Sequence, residues 1–218
     1  MKNLNKKIEM EKEFEYLFFT RAYLMLAYLG SEEILNKIRT EKYNNPLGEM
    51  VPDWMYENNY LLAPVIFNFK HAMEIFLKTI PQFLFIEPDK KSHDLKYLFQ
   101  KIEKKLNDKK NTENLKRLIV KYHHNNFLKN KIKENFIIED RSNDVFRYPD
   151  NKANVSLNFF YIFNRFDEKD LIELQKDIKN FDKFSYKIGA GILTKEFGPI
   201  PNNSKMKIGA NILKSKLQ

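Results

Sequence analysis

The chain has 218 residues, 43% of them hydrophobic, and a formal net charge of +9 with a pI near 9.4. That length holds one buried core with or without an appendage, and the charge favours anionic partners such as nucleic acid, nucleotides or acidic surfaces. The lack of cysteine excludes disulfides, thiolate zinc sites and a cysteine nucleophile, and six glycines argue against a sheet-rich fold with many tight turns.

No apolar run nears the ~18 residues of a membrane span. The Lys- and Glu-rich start lacks the apolar core of a signal peptide, so a cytoplasmic protein with no membrane partner is expected. Leu4 to about Leu29 reads as an amphipathic helix with Ile8, Phe14, Leu17, Phe18, Ala22, Met25, Leu26 and Leu29 as its apolar positions. Gly30-Ser31 is expected to interrupt it, with Ser31 capping a short helix to about Lys42. Tyr43 to Asn59 reads as a loop carrying Trp54, either an aromatic anchor on the core or a platform on which a base stacks.

Tyr60 to Ile80 is the central helix. Leu62, Val65, Ile66, Phe69, Met73, Phe76, Leu77 and Ile80 share one broad face, and His71, Glu74 and Lys78 fall opposite. Pro64 places its first turn near Tyr60 to Ala63, and Pro81 stops it. A second loop to Lys91 tucks Phe83, Phe85 and Ile86 inward. Ser92 or Asp94 opens the next helix, with the stripe Leu95, Leu98, Phe99, Ile102 and Leu106. Thr112 is the expected cap of a helix from Glu113 to about Ile132, with the seam Leu115, Leu118, Ile119 and Tyr122. Lys133 to Lys152 reads as loop or extended chain, and Val155 to Phe163 as a short strand or buried extended segment. Asp167 caps a last helix, Glu168 to about Phe184, lined by Leu171, Leu174, Ile178 and Phe181.

From Lys183 onward the chain holds seven lysines and one glutamate. It also repeats itself: Lys187-Ile188-Gly189-Ala190-Gly191-Ile192-Leu193 returns as Lys207-Ile208-Gly209-Ala210-Asn211-Ile212-Leu213. These are either apolar elements that pack on the bundle or a partner, or a basic arm for nucleic acid or phospholipid. The expected architecture is all-α: an up-and-down bundle of four to five helices over residues 1–184, a short extended segment, and a basic tail over residues 185–218.

Three pieces of the sequence resemble the HEPN family of helical-bundle proteins of toxin–antitoxin and phage-defence systems. Glu74-Ile75-Phe76-Leu77-Lys78 resembles the Glu-x-x-Leu-Lys type of sequence in that family's second helix. Ser92-His93-Asp94-Leu95-x-x-Leu98 looks like the start of its third helix, and Phe146-Arg147-Tyr148-Pro149-Asp150 like the Arg-Tyr-Pro-Asp element of one branch. The resemblance implies a HEPN-like bundle that acts on or binds RNA or nucleotides, as a homodimer or with an antitoxin or defence partner, and without a cofactor or metal.

Many members are metal-independent ribonucleases with an Arg followed, after four to six residues, by a His. A base takes the proton of the ribose 2′-hydroxyl, and a cation steadies the charged phosphorus centre. Here Arg117 is followed by His123 after five residues and by His124 after six. Arg117 and His124 share one helix face with Lys121 between them, Leu118 stands where active members usually carry a polar residue, and the alternative reading is a solvated helix face. Arg147, held before Pro149, either grips a phosphate or pairs with Glu74 or Asp150 to close the bundle. The expected catalytic residues are thus Arg117, His124 and Arg147, with Lys121, Arg141, Tyr148 and Asp150 binding phosphate or nucleic acid. The alternative is a catalytically silent helical module that dimerises or docks onto a partner protein.

Overall fold

Helix α2, Trp54–Phe83, is the element around which the others gather. The computed structural model describes residues 2–44, 54–89, 91–128 and 166–197. Among them are five α-helices and no strand: α1 (Lys2–Asn44), α2, α3 (Leu95–Glu103), α4 (Lys109–Tyr122) and α5 (Glu168–Phe197). A short 3-10 segment, His123–Leu128, follows α4. The expected loops at 133–152, the extended segment at 155–163 and the second copy of the repeat lie outside the described residues.

The apolar face of α2 forms the core. Val65, Ile66, Phe69, Met73, Phe76, Leu77 and Ile80 are all buried, and α1, α3 and α5 pack around them. Phe181 of α5 meets Phe69 and Phe76 edge-on, with centroids 6.0 and 5.7 Å away, and Tyr122 of α4 meets Phe69 at 4.8 Å. Edge-to-face rings add specificity to the burial of apolar area. The stripes read from sequence on α3, α4 and α5 are the buried ones.

Helix α1 differs from its expectation in two ways. It runs unbroken through Gly30-Ser31, where the Ser31 hydroxyl donates to the Tyr28 carbonyl, 2.7 Å away, and caps nothing. A Cβ on Gly30 would stand 2.7 Å from Cγ2 of Val65, so the glycine lets α1 and α2 approach. The core face of α1 is also not the expected one. Leu24, Ala27, Ser31, Ile34 and Leu35 are buried, while Phe18, Ala22, Leu26 and Leu29 are exposed. The helix is apolar on two sides, and α2 takes only one.

The other boundaries shift for local reasons. Helix α2 begins at Trp54, so Pro64 sits inside it, and Pro81 lies in its last turn without ending it. The end comes at Phe83. Phe85 N–H donates to the Gln82 carbonyl (3.2 Å), Ile86 N–H to Pro81 (2.9 Å), and Phe85 adopts a φ of 55°. This is a Schellman stop with Phe in the left-handed position that glycine usually fills. Phe85 is therefore turned out to solvent, whereas Phe83 is buried as expected.

Helix α3 is capped by Asp94, which accepts from Tyr97 N–H at 2.8 Å. Helix α4 is capped by Asp108, four residues before the expected Thr112, and it ends at Tyr122 well short of Ile132. Helix α5 continues past Phe184 to Phe197, so the first copy of the repeat is helical and Ile188 is buried.

Candidate functional site

Two buried carboxylates organise the polar chemistry among the described residues. The first is Glu74 on α2, 5% exposed, on the side of the helix that the sequence alone assigns to solvent. Its burial follows from α2 being covered on several sides. Oε1 of Glu74 accepts from Lys78 Nζ at 2.9 Å and faces His93 Nδ1 at 3.0 Å. Lys78 lies one turn further along α2, whereas His93 comes from the residue before the cap of α3.

The segment that delivers His93 is fixed locally. Asp89 accepts from the backbone N–H groups of Lys91 (3.1 Å) and Ser92 (3.0 Å) and pairs with Lys101 at 3.2 Å. The Ser92 N–H, with the Lys101 ammonium, lowers the Asp89 pKa to about 2. Next to His93, Asp94 stands 3.6 Å from His123 Nδ1, which ties the start of α3 to the end of α4.

The arrangement has a definite chemical sense. A carboxylate facing Nδ1 holds a proton there and leaves Nε2 as the basic nitrogen of the neutral ring. The His93 side chain is 43% exposed, so solvent or a substrate reaches it while Glu74 beneath it stays dry. Lys78 places a cation within the same cluster. This is an orienting acid, a base and a cation, the elements that proton transfer next to a phosphate requires.

The second carboxylate is Asp177 on α5. Its Oδ2 accepts from the Tyr122 hydroxyl at 2.9 Å and from Lys121 Nζ, which also reaches Glu173. Burial lowers the Lys121 pKa, but the hydrogen bonds to Asp177 and Glu173 more than reverse this, so the pKa is raised. Burial, then the Asp177 charge, pushes the Tyr122 hydroxyl well above its ordinary range. The cluster latches α4 to α5.

The expected site residues fall as follows. Arg117 is exposed on α4. His124 lies beyond the end of α4, because His123 leaves the helical conformation with φ −65° and ψ 133°. The two-turn register that would have put Arg117 and His124 on one face therefore does not extend to His124. Lys121, expected to bind phosphate, is held by two carboxylates. Arg141, Arg147, Tyr148 and Asp150 lie outside the described residues. The sequence did single out Glu74, Lys78 and His93, yet gave no sign that they meet. The useful signal was a Glu–Lys pair at i,i+4 combined with a His immediately before a helix cap.

A basic surface lies at the turn between α3 and α4, where Lys104, Lys105, Lys109 and Lys110 are exposed. Lys187 of α5 adds its charge there, beside Asp108. Among the described residues no cluster of three or more acidic or histidine side chains is arranged to hold a metal ion, and no helix is long and apolar enough to cross a membrane. Comparison with protein-family models, curated proteins and solved structures finds no match.

Proposed function

We propose that the chain is a HEPN-like helical bundle that binds and cleaves RNA without a metal, in a phage-defence or toxin–antitoxin setting. The observation that carries this reading is the meeting of Glu74, Lys78 and His93, drawn from two separate segments that resemble the family. In this reading His93 takes the proton of a ribose 2′-hydroxyl. The 2′-oxygen attacks the adjacent phosphorus, the 5′-oxygen leaves and takes a proton from water, and a 2′,3′-cyclic phosphate results. Glu74 keeps the His93 ring in one tautomer, and Lys78 adds positive charge. The lysines of the α3–α4 turn supply sequence-independent affinity for the phosphate backbone. A homodimer or an antitoxin partner belongs to the same proposal.

The test is cleavage of total RNA in EDTA by the wild type and by His93→Gln, Arg117→Ala, His124→Ala and Arg147→Ala. His93→Gln is expected to lose about a hundredfold or more in rate while staying folded, the scale of a general base. If wild type cuts and His93→Gln cuts equally well, the assignment to His93 is wrong. If wild type does not cut above a mock purification, the enzyme reading falls and RNA binding is judged by gel shift at two salt concentrations. A catalytically silent interaction module is the second reading, and the exposed apolar side of α1 favours it.

A further inference from the structure

The outward side of α3 carries an aromatic ring that its apolar stripe does not use. Leu95, Leu98, Phe99 and Ile102 are buried, whereas Tyr97 stands outside that stripe and is 42% exposed. At 100° per residue Tyr97, Lys101 and Lys104 fall on one face, about 10 Å from first to last. Exposed Lys96 and Lys105 flank it.

The Tyr97 ring is tied to the segment that delivers His93. Lys101 Nζ lies 4.9 Å from the ring centroid, and Asp89 holds that ammonium at 3.2 Å. Asp89 is the same carboxylate that accepts from Ser92 N–H at 3.0 Å, one residue before His93. From the other side Asp94, the residue after His93, accepts from Tyr97 N–H at 2.8 Å. Two carboxylates thus join a solvent-facing imidazole and a solvent-facing phenol ring at the start of α3.

The charge along this face has one sign. Residues 96–110 hold six lysines and two acids, and both acids are already engaged by the protein. Glu103 pairs with Lys116 at 2.7 Å, and Asp108 caps α4 by accepting from Asn111 N–H. Such a surface fits a polyanion, and an exposed ring within it favours one that also offers a flat base. A base inside a duplex is already stacked, so the ring fits an unpaired one.

We infer that Tyr97 is a stacking platform for single-stranded RNA: it receives an unpaired base beside His93, while the backbone follows α3 toward the lysines of the α3–α4 turn. This rests on the RNA-binding part of the proposed function and not on cleavage.

The test uses the full chain in EDTA with a short labelled RNA strand carrying 2′-fluoro sugars, which has no 2′-hydroxyl to attack with and so is not cut. Fluorescence anisotropy reads the affinity at two salt concentrations. Tyr97→Ala is expected to raise Kd about tenfold, the scale of one lost base stack, with the salt dependence unchanged. Tyr97→Phe is expected to stay within about twofold of wild type, because the ring remains. Lys104→Gln with Lys105→Gln does the converse, weakening binding and flattening its salt dependence. A strand containing the fluorescent base 2-aminopurine should be quenched by wild type and not by Tyr97→Leu, a second variant should Tyr97→Ala disturb folding. Equal affinity and equal quenching with and without the ring overturn the platform, and an equal loss on a duplex of the same sequence overturns its preference for unpaired bases. A wild type that binds no strand overturns the inference together with the RNA reading. Ring-dependent binding without cleavage of unmodified RNA supports it and removes only the ribonuclease step.

Discussion

Glu74 and Asp177 are both buried acids gripped by a lysine, yet their surroundings differ in one respect. At Asp177 the other donor is Tyr122, itself 1% exposed, so the charge is sealed between α4 and α5. At Glu74 one partner is His93, a ring that opens onto solvent. The first arrangement suits a latch. The second suits proton exchange with something outside. A buried charge alone does not mark a functional site; what matters is whether its partner can be reached.

That contrast predicts a graded set of effects in denaturant unfolding. Asp177→Ala is the most damaging, at about 4 kcal/mol, because it strands a buried hydroxyl and a half-buried ammonium. Glu74→Ala costs less, about 2 kcal/mol, since Lys78 and His93 lie near enough to water to rehydrate. A Glu74→Ala loss equal to or larger than that of Asp177→Ala would erase the distinction. Tyr122→Phe follows at about 1.5 kcal/mol, the cost of leaving a buried carboxylate one hydrogen bond short.

Smaller effects concern the segment that delivers His93. Phe85→Gly is expected to stabilise the chain by about 1 kcal/mol, by relieving the left-handed backbone at the end of α2. A loss of stability would mean that the Phe85 ring contributes more than its backbone costs. The last prediction concerns pH. The folded pKa of Asp89 is lowered from 3.8 to about 2. Its contribution to stability is complete above the unfolded value and disappears as pH falls through about 2. Carboxyl NMR should therefore show Asp89 still ionised at pH 3, and a midpoint near 4 would show that the Asp89 turn is not formed.

Apolar periodicity made much of the core legible. Eight residues, Leu62 to Ile80, follow one face of α2, and that face is buried. The stripes on α3, α4 and α5 were equally readable because each of those helices has one apolar side. Helix α1 was misread because it has two, and only the packing of α2 against Gly30 decides between them. The site was harder. The burial of Glu74 depends on what covers α2, and its link to His93 crosses a turn whose course is set by the stop at Phe85 and the Asp89 hydrogen bonds. Arg117 and His124 do not lie on one continuous helix, because the chain leaves α4 at His123. Thr112 shows the same limit. It looked like a cap, but it sits buried after the real cap, with no hydrogen-bond partner for its hydroxyl among the described residues.

The close seam at Gly30 also bears on how the chain folds. Helices α1 and α2 are neighbours in sequence, run antiparallel from the Gly30–Val65 approach to the Tyr23–His71 ring contact, and share the largest interface in the bundle. Such a hairpin closes a short loop and forms early. Helix α5 returns to α1 across 161 residues, at Arg21 and Asp182. Loop length therefore predicts that the α1–α2 hairpin nucleates and that α5 arrives last to cover Phe69 and Phe76. Until it does, those aromatic rings face water, so the window for misassociation on refolding opens at α5, and substitutions that weaken its docking widen that window before they change the final fold.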